Sequence, residues 1–207
     1  MKKNLIAISL SILALAGSVR AQETGTADTL VWCGLDYSMV KMIGTADFKQ
    51  PDQIFPAAFE SWNALFMKEM LPQLEKMAKS SGSDLKAVES RNEKASPNQI
   101  EREDGTRDEM VKATHITEAD IADIVRSYNL KHDKGLGLVF VMDRLVKAQQ
   151  TGCLYVVFFD IASRKVVVSE RVCADAGGMG FRNYWFRPVK TAVDKLPKMY
   201  RQAKSKQ

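Results

Sequence analysis

Apolar and polar positions change period several times along this chain, and each change predicts an element. Residues 29 to 40, "TLVWCGLDYSMV", form a β-branched and aromatic run with the character of a buried strand ending near Gly34 or Asp36. The next stretch, "KMIGTADFKQPDQ", reads as loop. Phe55, Phe59, Trp62, Phe66, Met70, Leu74 and Met77 then recur at the spacing of one helical face, which predicts a helix with Pro56 in its first turn and a kink or break at Pro72. "DLKAVESRNE" alternates enough to suggest a second, half-exposed strand. Residues 91 to 112 carry almost no apolar side chains and several turn formers, and are expected to be a mobile charged loop or lid.

Thr117 followed by Asp120, with Ile116 and Ile121 flanking, is the signature of a capped helix start. Its core face is Ile121, Ile124, Val125 and Tyr128. Residues 135 to 174 then hold three β-rich runs, "GLGLVFVMDRLVKAQ", "CLYVVFFDI" and "RKVVVSERVCA", joined by "QTG" and "IAS" turns, which predicts an antiparallel meander. Placing Phe159 opposite Val166 brings Cys153 opposite Val172, so one bulge would align Cys153 with Cys173. After the glycines of "AGGMGFRNYWFR" comes a last helix, with Val189, Ala192, Val193, Leu196, Met199 and Tyr200 on one face. The order strand, helix, strand, loop, helix, meander, helix implies an α+β fold. We expect a mixed or antiparallel sheet ending in a three-strand meander, with helices packed on one face as a two-layer sandwich.

Composition changes this picture at the two ends. Lys2 and Lys3, the apolar run "LIAISLSILALAG" and the small-residue site Val19-Arg20-Ala21 read as a signal peptide over residues 1 to 21. Residues 22 to 207 then form one α+β domain, periplasmic or secreted, with no transmembrane segment in the mature chain. Ser18 stands where a lipoprotein would carry its lipidated cysteine. The formal charge of +5 includes Lys2, Lys3 and Arg20, so a chain beginning at Gln22 carries +2 and gives no reason to expect nucleic acid. From Arg182 onward, however, eight Lys or Arg residues face Asp194 alone. That basic helix suits an acidic partner or surface. Three cysteines allow one internal disulfide at most, and Cys153 with Cys173 is the candidate pair.

The hairpin "VFFDIASRKVVVSE", with a long strand before it and a glycine turn and terminal helix after it, resembles the α/β domains of bacterial envelope proteins. The families are the curli-secretion lipoproteins and the N-terminal domain of the Tol-system β-propeller protein. The resemblance covers roughly residues 29 to 200 in element order and implies an envelope domain of the same general architecture. The matching hairpin carries no catalytic residue, so no functional residue transfers with it.

Candidate chemistry centres on the glycine loop. A dinucleotide fingerprint would need a third glycine where Asn183 stands, and a triphosphate loop would need Lys then Ser or Thr where Phe181 and Arg182 stand. What remains is a helix start where free N–H groups, with Asn183 as cap and Arg182 beside it, could face an anion or a partner. The candidate contacts are Gly178, Gly180, Arg182, Asn183, Trp185 and Arg187. His115 and His132 lack metal-ligand spacing and read as surface side chains; no metal, cofactor or catalytic residue is assigned. The expectation is an exported, non-enzymatic envelope domain binding a partner protein or envelope component. The alternative is a small-anion binder or exported hydrolase using the loop at 177–182.

Overall fold

The computed structural model describes residues 28–45, 48–102 and 107–207, with backbone only at 107 and 108. The expected signal peptide lies outside the described residues. Among the described residues there are seven strands: β1 (Thr29–Asp36), β2 (Lys41–Ile43), β3 (Ser80–Ser83), β4 (Ile100–Glu101), β5 (Leu136–Val146), β6 (Thr151–Asp160) and β7 (Val166–Asp175). The helices are α1 (Pro51–Ile54), α2 (Ala57–Glu69), α3 (Leu71–Met77), α4 (Lys86–Asn92), α5 (Arg107–Lys112), α6 (Glu118–Ser127) and α7 (Gly180–Lys204).

The expected sheet is overturned. Its main run, β3-β1-β5-β2-β4, is parallel at every step. Among the described residues antiparallel pairing is confined to β6, which pairs β5 on one side and β7 on the other. Because β6 occupies one edge of β5 from Leu136 to Val146, β1 and β2 must share the other edge, end to end. They behave as one long strand interrupted at 37–40. Parallel neighbours need long crossovers, and α1, α2 and α3 lie in the one between β1 and β3.

The single helical layer is corrected as well. One apolar cluster joins Leu30, Trp32, Leu138, Phe140 and Phe158 to α2, α3 and α7. A second joins Val31, Cys33, Val139, Val157 and Phe159 to α4 and α6. Successive strand residues point to opposite faces, so these alternating sets require helices on both. The molecule has three layers, not two. All eleven residues of β5 are buried, as expected of a strand covered on both sides.

Local departures have local causes. "KAVESRN" is helix α4, not a strand, because Leu85, Val88 and Asn92 follow the helical repeat. The segment "KMIGTADFKQPDQ" contributes β2 and α1 rather than loop alone. The expected long helix is divided into α1, α2 and α3. Pro72 lies in the first turn of α3, where its missing N–H costs nothing; inside a continuous helix its ring would clash with the carbonyl of Lys68. Residues 91–112 hold the end of α4, a 3-10 turn at Pro97–Gln99, β4 and α5, while 103–106 lie outside the described residues.

Candidate functional site

The chain leaves β7 through Ala176, whose N–H donates to the carbonyl of Gln150, and Gly177, whose N–H donates to that of Tyr184 at 3.0 Å. Gly178 (φ 118°) and Gly180 (φ 78°) take backbone conformations that side-chain-bearing residues rarely adopt, which turns the chain sharply into α7. Met179 is the N-cap and provides no side-chain hydrogen bond. Asn183 is not the cap: its Nδ2 donates back to the Met179 carbonyl at 3.2 Å. The first turn of α7 contains Arg182 and no acidic residue, so no side chain of that turn offsets the partial positive charge of the helix start.

Aromatic rings fix this end of α7. Trp62 Nε1 donates to the Arg182 carbonyl at 2.8 Å, and the Phe181 ring stacks on Trp62 with centroids 5.6 Å apart. Trp185 stacks on Phe48 at 5.6 Å and is only 3% exposed, so it anchors the helix from below and does not reach the surface. Gly178, Gly180, Arg182, Asn183 and Arg187 are exposed around the loop. The structure therefore brings five of the six expected contacts to one surface. Sequence reasoning passed over the two residues that stand out most, Met179 at 91% and Phe181 at 39% exposure. Their signal was two large apolar side chains among turn glycines, where polar residues are usual. Beside Phe181 lies a concavity of about 380 Å³, bounded by Phe48, Lys49, Gln50, Gln53 and Ile54.

The basic excess of α7 is partly neutralised. Lys190 pairs with Glu69 at 2.6 Å and Lys204 with Asp28 at 2.9 Å, the latter lowering the Asp28 pKa through the hydrogen bond and charge of Lys204. Arg182, Arg187, Lys195, Lys198 and Arg201 have no ion-pair partner among the described residues.

Other polar clusters serve the fold. Asp143, fully buried, accepts from Arg171 Nε at 2.8 Å and Thr114 Oγ1 at 3.2 Å, with His115 Nδ1 at 3.3 Å from its Oδ1. Arg171 in turn donates to the carbonyls of Val111 and Ala113, fastening the end of α5 and the residue after it to the sheet. Asp36, equally buried, accepts from Arg91 Nε and Tyr128 Oη, each at 2.8 Å. His115 is half-buried and His132 is 6% exposed against Gly82, so neither is the surface side chain expected from sequence. Cys33 is free and buried, and burial pushes its thiol pKa up, away from a nucleophilic thiolate. Cys153 and Cys173 are joined in a disulfide, directly opposite each other on β6 and β7. Among the described residues no three His, Cys, Asp or Glu side chains converge as metal ligands.

No family model matches the chain, and no curated protein does. Among solved structures it is similar to a neuraminyllactose-binding hemagglutinin homolog from Helicobacter pylori, at 12% identity over 91% of this chain and 94% of that one, with a TM-score of 0.30. A likeness of that size defines no shared fold. No helix among the described residues is long and apolar enough to cross a membrane.

Proposed function

We propose that this chain is an exported, non-enzymatic envelope domain that binds a partner protein through the surface at the start of α7. The observation that carries the reading is the exposure of Met179 and Phe181, the large apolar side chains left in solvent among the described residues. A methionine at a loop tip, beside a concavity and an aromatic ring, is suited to insertion into a partner. Lys49, Arg182, Arg187 and the uncapped helix start surround it with positive charge, so the complementary segment is apolar and flanked by carboxylates. Export is supported by the N-terminal charged-then-apolar segment and by the Cys153–Cys173 bond, which an oxidising compartment maintains. The envelope assignment agrees with the resemblance of the "VFFDIASRKVVVSE" hairpin. A non-enzymatic role fits the engagement of Asp36 and Asp143 in structural hydrogen bonds.

Site-specific photo-cross-linking in the producing cell tests this. A photoreactive residue at Met179 is expected to give a discrete protein adduct, which disappears when Phe181→Asp and Arg182→Glu are added. The same label at the exposed Ser169 of β7 should give none. No adduct at 179, or the same adducts from both positions, would refute the docking surface.

A further inference from the structure

A second surface has the opposite electrostatic character. Among the described residues β3 is an outer strand, paired with β1 alone, and the chain reverses its direction across the sheet there. Helix α2 packs on one face before β3, and α4 packs on the other face after it. β3 ends at Ser83 opposite Trp32, and beyond it α2 and α4 flank the edge of β1 at Gly34 and Leu35. A cleft of about 280 Å³ opens there, between the two helices.

Each helix presents one stripe to the cleft: Glu60, Asn63 and Ala64 from α2, and Leu85, Val88, Glu89, Asn92 and Glu93 on and beside α4. The floor is apolar, from Phe59, Leu85 and Val88. The two asparagines on it are already engaged. Asn63 accepts from the Leu35 N–H at 2.7 Å and donates to the carbonyls of Leu35 and Phe59, while Asn92 accepts from the Tyr37 N–H at 2.6 Å and donates to the Leu35 carbonyl. Their amides support the strand end and have little left to offer a ligand. Glu60, Glu89 and Glu93 line the exposed part, no Lys, Arg or His lines the cleft, and none of the three carboxylates has an ion-pair partner among the described residues.

We infer that this cleft binds a short aliphatic ammonium group, with its carbon chain on the Phe59–Leu85–Val88 floor and its charge among the three glutamates. An anion would meet three like charges, and a neutral apolar molecule would leave those charges unused. The volume, about 280 Å³, lies just below the usual ligand range of roughly 300–1,000 Å³, which suits one unbranched arm rather than a ring system. The ammonium group could be that of a free amine or of a lysine side chain, and the floor and rim would recognise both alike.

The test follows the side-chain amide resonances of Asn63 and Asn92 in ¹⁵N-labelled protein during titration with n-pentylammonium, n-pentanol and Nα-acetyl-lysine methylamide. Saturable millimolar shifts with n-pentylammonium are expected, with n-pentanol weaker by about tenfold. Tighter binding of the lysine derivative than of n-pentylammonium assigns the cleft to a lysine side chain; the reverse assigns it to a free amine. Replacing Glu60, Glu89 and Glu93 together by Gln, all at exposed positions, should weaken n-pentylammonium by a similar factor. Ala64→Phe, also exposed, should occlude the cleft. Equal shifts from n-pentanol, unchanged affinity in the triple variant, or no shift with the ammonium ion would overturn the proposal.

Discussion

Arg171→Met should be among the most damaging single substitutions outside the apolar core. Asp143 has no exposed side-chain surface and receives both Nε and Nη2 of Arg171, at 2.8 and 2.6 Å. Removing the guanidinium leaves that carboxylate with Thr114, His115 and a more distant Arg144 Nε at 3.8 Å, and takes a donor from the carbonyls of Val111 and Ala113. Breaking a buried pair from one side costs about 3–5 kcal/mol; Arg171 itself is one-fifth exposed, so water can partly replace it and the lower end, about 3 kcal/mol, applies. Removing both charges together, as Asp143→Leu with Arg171→Met, should cost far less than the sum of the singles, because no charge is then stranded. Urea unfolding reads both effects: at a slope of about 2 kcal/mol/M the single variant should move the midpoint down by about 1.5 M. A loss under about 1 kcal/mol, or strict additivity in the double variant, would refute the reasoning.

The same pair fixes an acid dependence. Burial alone would raise the Asp143 pKa, but the approach of His115 at 3.3 Å, the hydrogen bonds and charge of Arg171 and the charge of Arg144 outweigh it, so the carboxyl is held below its usual value. A group with a lowered folded-state pKa contributes stability that is complete above its unfolded pKa, about 3.9, and is lost as pH falls through the folded value. The stability difference between the wild type and Asp143→Asn should therefore be constant near neutrality and shrink below about pH 4. A difference that stays flat down to pH 3 would show that Asp143 does not titrate as the structure implies.

Two further outcomes follow from backbone constraints. Reducing the Cys153–Cys173 bond, which spans 20 residues, should cost about 3 kcal/mol in the unfolded-chain entropy account, while β6 and β7 stay paired through the rest of their register; urea midpoints with and without reductant measure this, and no change would contradict it. At Gly34, φ is 116° and an added Cβ would lie 2.6 Å from Val88 Cγ2 and 3.0 Å from Asn63 Oδ1. Gly34→Ala should thus cost about 2–5 kcal/mol from strain and overpacking, and an unaltered unfolding midpoint would count against it.

Local features were the ones legible in sequence. The turn after Asp160 sets Phe159 opposite Val166, a bulge at Val167 shifts the remaining pairs by one, and Cys153 meets Cys173. The Thr117–Asp120 capping box and the buried face of α7 were likewise written in short-range spacing. Parallel pairing has no such mark, since β1 reaches β3 and β5 only through long crossovers. The sign of a second helical layer was present nonetheless in "LGLVFVMDRLV", too continuously apolar for a strand with one wet face. Leu85 and Ala87 imitated strand alternation because a seven-residue helix shows few repeats. At the candidate site, charge and glycine singled out the loop on which the proposed function rests, whereas the inward turn of Trp185 and the placing of Phe181 depend on Phe48 and Trp62, distant in sequence.

The interruption between β1 and β2 accounts for where the polar core residues lie. A chain that leaves a sheet at 37–40 exposes backbone N–H and C=O groups that must find other partners. Asn63 and Asn92 supply them at Leu35 and Tyr37, Gln99 Nε2 at the carbonyls of Tyr37 and Ser38, and Asp36 Oδ1 at the Ser38 N–H. Three segments distant in sequence are thereby drawn to one strand end, which sets the separation of α2 and α4 and so the width of the cleft between them. The amides that build the cleft cannot also select its ligand. Selection falls to the glutamates above them, which lie in solvent, have no side-chain hydrogen bond among the described residues and can change without disturbing the strand end.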